Sequence, residues 1–188
     1  MKAILKPEED PHVKPKAVVV IVLFVLGTLC AQAPQTPAAA PSLAAEAKAA
    51  YNGIKNNLTK MAEKMPEENY AFQPVKEIRT FAALVGHVAD AQGRTCSATM
   101  GEPKSLNASS KTTKADLVAA LKESFTICDA AFEALTDANA TEAIRGPRGQ
   151  RTRVSVLNGV TIHSNEEYGY MAVYMRLKGI VPPSSEGR

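Results

Sequence analysis

Apolar residues recur at steps of three and four in four stretches of the chain, the spacing of one face of an α-helix. In the first stretch, Leu43, Ala47, Ala50, Ile54, Leu58, Met61 and Met65 form such a stripe. Ser42 offers an N-cap before it and Pro66 stops it. A second helix is expected from Val75 to Met100, with Phe81, Leu84, Val88, Ala91 and Thr95 on one face. Gly101 and Pro103 end it. A third begins at Thr113, where Asp116 three residues on completes a capping-box pattern, and carries Leu117, Leu121, Phe125, Cys128, Phe132 and Leu135. The fourth, from Val154 to Lys178, carries Val156, Val160, His163, Glu167, Tyr170, Tyr174 and Leu177. Gly179 supplies its C-terminal cap and Pro182-Pro183 prevents continuation. No stretch alternates with period two, so strands are not expected. The pattern therefore predicts an all-α four-helix bundle over residues 42–185. The connections after the second and third helices are longer than a simple up-down hairpin needs.

The segment ahead of this domain has a different character. Lysines at 2, 6, 14 and 16 precede an apolar run from Ala17 to Leu29. That run is shorter than the roughly 20 residues a membrane span needs, and it fits the core of a secretory signal. Ala31-Gln32-Ala33 gives a small-x-small cleavage pattern, although Pro34 makes a cut after Ala31 an alternative. Residues 1–33 are read as a signal peptide and 34–41 as a Pro/Ala-rich linker. The protein is then exported, periplasmic or extracytoplasmic, and keeps no membrane span after processing. An uncleaved signal would instead anchor it.

Composition narrows the function classes. A formal charge of +3 with scattered Lys and Arg gives no nucleic-acid surface, and the arginines at 145, 148, 151 and 153 read as a solvated basic loop. Cys96 and Cys128 remain in the domain. They are read as two small buried apolar side chains. An oxidising compartment would permit pairing, but sequence does not supply the geometry that pairing needs.

The chemistry concentrates in helices two and four. His163 and Glu167, at i and i+4, share the stripe that faces the core, and His87 lies near the inner stripe of helix two. A carboxylate in an apolar interior costs several kcal/mol unless it is paired or bound to metal. One reading is a divalent-metal site of His87, His163 and Glu167. The other is a hydrogen-bonded core, with Glu167 bridging to Arg79, Arg94 or Arg176. Asp90, Glu166 and Tyr170 are candidates for supporting contacts around the ligands.

Two segments carry a family resemblance. One is MPEENYAFQP at 65–74, followed by Arg79-Thr80-Phe81 and LVGHVAD at 84–90. The other is HSNEEYG at 163–169, followed by YMRLKGIVPPSS at 174–185. Together, in this order, they resemble the DinB-like family over residues 43–185. The resemblance implies a four-helix bundle of unusual connection order and a divalent metal (Zn, Ni, Fe or Mn) held by three histidines. It also implies a metal-dependent hydrolase or thiol-linked transferase acting on a small-molecule substrate or thiol. The family's first and second histidines match His87 and His163. The third falls on Glu167, where this chain departs from the pattern. Either a His/His/Glu set retains the metal, or the metal is lost and the protein is a non-catalytic helical binding or stress protein of the cell envelope. The sequence also allows a homodimer.

Overall fold

The structure is a computed structural model that describes residues 40–146 and 149–187. The expected signal peptide at 1–33 and most of the linker lie outside the described residues. No helix among the described residues is long and apolar enough to cross a membrane.

Four helices form the domain: α1 (Leu43–Lys64), α2 (Phe81–Thr99), α3 (Lys114–Glu133) and α4 (Arg153–Leu177). Their ends are set by local chemistry. The side chains of Ser42, Thr80, Thr113 and Thr152 each accept a hydrogen bond from a backbone N–H in the first turn that follows. At the end of α4, Gly179 adopts φ +72°. The Ile180 N–H then reaches the Met175 carbonyl at 2.9 Å, and the Gly179 N–H reaches Arg176 at 2.9 Å. This left-handed turn satisfies the last carbonyls of the helix.

Two boundaries differ from the sequence expectation. α2 starts at Phe81, not near Val75. Residues 72–80 instead form an irregular strap, because tertiary hydrogen bonds capture the backbone there. The Phe81 N–H donates to Phe72 O and the Ala82 N–H to Tyr70 O. The Gln73 amide also spans the carbonyls of Lys76 and Ile78. Second, the connection before α4 contains a hairpin of β1 (Ala143–Gly146) and β2 (Gly149–Thr152), antiparallel with Ile144 opposite Arg151. Four-residue strands are too short to show an alternating pattern.

α1 packs on α3 and α4, and so does α2, with α2–α3 the most extensive contact. The order around the bundle is therefore α1-α3-α2-α4. Consecutive helices α1 and α2 lie across the diagonal, as do α3 and α4. The connections after α1 and after α3 therefore cross the diagonal, while the one after α2, also long as expected, joins neighbours. Leu58, Met61, Met65, Leu121 and Met175 fill the centre, and the Tyr51 and Phe132 rings stack with centroids 4.1 Å apart. Leu43, Ala50, Tyr170 and Leu177, expected on the inner stripes, are exposed. α4 carries apolar residues on two faces, and only packing decides which one turns inward.

Cys96 of α2 and Cys128 of α3 form a disulfide, correcting the reading of two separate thiols. The close α2–α3 contact brings their Cα atoms to 5.0 Å, inside the range that a disulfide requires.

Candidate metal centre

His87 enters the site from the middle of α2, and His163 and Glu167 enter from the middle of α4. Because α2 and α4 are neighbours in the bundle, residues 76 positions apart in sequence meet across one interface. The two Nε2 atoms are 3.1 Å apart, and Glu167 Oε1 lies 3.5 Å from each. Two ligand atoms about 2.05 Å from one tetrahedral ion would stand about 3.3 Å apart. The three donors thus form a triangle of the right size for a shared ion.

Burial differs among the three. Glu167 is only 4% exposed, whereas both imidazoles are part-buried. Glu167 Oε2 is buried without any hydrogen-bond partner among the described residues. An orphaned carboxylate oxygen in an apolar interior costs on the order of 1–3 kcal/mol or more. The arginines considered as bridging partners do not pair with it: Arg176 donates to Ser185 Oγ, and neither Arg79 nor Arg94 forms an ion pair among the described residues. Burial lowers the His87 pKa, Arg79 pushes it the same way, and Glu167 opposes them. The outcome favours a neutral ring, the form that donates a lone pair to a metal.

The other predicted residues are elsewhere. The Asp90 carboxylate accepts hydrogen bonds from the backbone N–H groups of Ala108 (2.7 Å) and Ser109 (2.9 Å) and from the Ser109 hydroxyl (2.6 Å). It pins the short 3₁₀ turn Ala108–Ser110 onto α2. Gly86 permits the approach, since a Cβ there would lie 3.1 Å from Ala108 O. Asp90 therefore braces the turn of helix that carries His87 without touching the ring. Glu166 and Tyr170 are exposed and bonded to each other at 3.1 Å. A buried polar pair that sequence reasoning missed, Gln92 and Ser164 at 2.9 Å, ties α2 to α4 beside the site. Such a pair gives no sequence signal, because Gln and Ser are ordinary on helix surfaces.

Burial alone would raise the Asp90 pKa, but the hydrogen bonds from Ser109 and Ala108, with Arg94 nearby, hold it below its usual 3.8. A lowered folded-state pKa contributes stability above the unfolded value that is lost as pH falls through the folded one. Asp90→Ala is expected to cost about 1–3 kcal/mol near pH 7. In urea titrations the gap to the parent protein should narrow as pH falls below 3.8. A gap that stays constant to pH 2 would rule out this role for the charge.

A sequence model described as the DinB superfamily matches residues 50–171. The chain belongs to the DinB superfamily. The crystal structure of a DinB-like protein from Bacillus cereus superposes with a TM-score of 0.65 at 17% identity, covering 73% of this chain and 93% of that one. At that identity the likeness speaks for the fold. No match was found among curated proteins. Within the DinB bundle of this chain, His87, His163 and Glu167 each bring one possible ligand atom within 4.8 Å of the others.

Proposed function

We propose that this DinB protein holds one divalent metal ion through His87, His163 and Glu167 and acts on a small molecule as a metal-dependent hydrolase or thiol-linked transferase. The observation that carries the proposal is the meeting of three donor atoms around a buried carboxyl group whose second oxygen has no partner. A His/His/Glu set suits Zn²⁺, Fe²⁺, Mn²⁺ or Ni²⁺. When bound, such an ion supplies a polarised water or thiolate position. The protein side of the chemistry is positional. The part-buried imidazoles of His87 and His163 leave the site accessible to a substrate, Asp90 braces α2 against the Ala108–Ser110 turn, and Gln92 ties α2 to α4 through Ser164. The Cys96–Cys128 disulfide supports an extracytoplasmic location, where such bonds persist.

Elemental analysis of the purified protein tests this reading. About one equivalent of a transition metal per chain is expected, or uptake of one by the chelated protein with a rise in melting temperature. A protein that arrives without metal and takes up none of Zn²⁺, Mn²⁺, Fe²⁺ or Ni²⁺ would leave the non-catalytic envelope protein as the better account.

A further inference from the structure

A groove of about 710 Å³ lies between the strap ahead of α2 and the C-terminal half of α4, with Leu84 of α2 at one side. Its position follows from helix geometry. Leu84 precedes His87 by three residues and Tyr170 follows Glu167 by three, so the groove begins about 5 Å along the helices from the donor atoms. Leu84 and Tyr174 form a buried floor, and Ile78, Val173 and Leu177 form exposed walls. Val173 and Leu177 are 56% and 59% exposed. A contiguous apolar surface of this kind is uncommon unless something covers it, and the volume falls within the range of small-molecule sites.

Two charged residues, Glu77 and Arg79, line the groove. Arg79 lies two residues ahead of α2. Its backbone carbonyl accepts from Tyr174 Oη at 2.6 Å, which fixes the main chain there. Its guanidinium forms no ion pair among the described residues. By contrast, Arg153 is engaged by Glu142, and Arg151 by Ser155. The one acid on the rim, Glu77, has Lys76 beside it at 3.8 Å. The groove therefore offers an apolar trough with one cation that forms no ion pair among the described residues.

We infer that this groove binds an amphiphilic organic anion, with its apolar chain along Leu84, Val173 and Leu177 and its anionic head on Arg79. As a substrate assignment this rests on the proposed metal-dependent function. As a binding site it does not, because none of the three candidate ligands lines the groove.

The test is a calorimetric titration of the full-length protein, in excess EDTA, with octanoate and with 1-octanol. Octanoate is expected to bind saturably at one site, about tenfold more tightly than octanol, the contribution of one charge-assisted contact. Arg79→Gln should remove that tenfold advantage and leave octanol unchanged. Val173→Glu, on an exposed wall, should weaken both. Equal affinity for the two ligands, or octanoate binding that neither substitution alters, would overturn the inference. Metal uptake is measured separately on the same preparation. A chain that passes this test but takes up no metal keeps the groove and loses the metal reading, and the converse result does the reverse.

Discussion

Replacing Glu167 by leucine is expected to make the metal-free protein more stable and at the same time blind to metal. In the absence of an ion, Glu167 places a carboxyl group in the core with one oxygen unpartnered and the other 3.5 Å from two imidazoles. Exchanging such a buried polar group for an apolar one of similar volume commonly gains about 1–4 kcal/mol. For a domain of this size that corresponds to a rise of roughly 2–4 °C in melting temperature per kcal/mol. The same exchange deletes a proposed ligand, so the stabilisation expected when Zn²⁺ or Mn²⁺ is added to the parent protein should be absent from the variant. Loss of a merely supporting contact costs about 10–100-fold in affinity, and loss of a ligand should cost more. Glu167→His should retain uptake, since a third imidazole is itself a competent ligand. Thermal scans of the parent and both variants, each with EDTA and with added metal, read all of this at once. If the leucine variant melts lower than its parent in EDTA, or still responds to metal, Glu167 is a structural residue and not a ligand.

The Cys96–Cys128 bond carries the second large effect. It joins α2 to α3 and closes a loop with a sequence separation of 32. By chain entropy, removing a crosslink of that span costs about 4 kcal/mol. Both cysteines are fully buried, so a reductant reaches the bond only when the bundle opens. The comparison is therefore best made on the Cys96→Ala/Cys128→Ala double variant, or on protein reduced while unfolded. A urea midpoint lowered to match about 4 kcal/mol is expected, less any strain the native bond stores. Since His87 rides on α2, weaker metal retention should accompany the loss. A midpoint unchanged by reduction would mean that the crosslink contributes nothing to the folded state.

These two predictions draw on different parts of what was legible before any coordinates. The three candidate ligands were visible because they break a rule: polar side chains on stripes that should be apolar. The crosslink was not visible, because it depends on which face of α2 meets which face of α3. Asp90 shows a third case. It lies one turn from His87 and reads as a partner for the ring, yet it holds the turn at Ala108–Ser110, a contact 18 residues away that no helical spacing encodes.

The sequence by itself determined the four helices, most of their ends and the candidate ligands. Periodicity, capping by Ser42 and Thr113, and termination at Pro66 and Gly179 are interactions between residues at most a few positions apart. Tertiary structure alone decided the start of α2 at Phe81, the short hairpin, the disulfide, the α1-α3-α2-α4 order and the groove lined by Arg79. Each of these depends on backbone or side-chain partners brought together by packing across the bundle, and a linear pattern records which faces are apolar but not which faces meet.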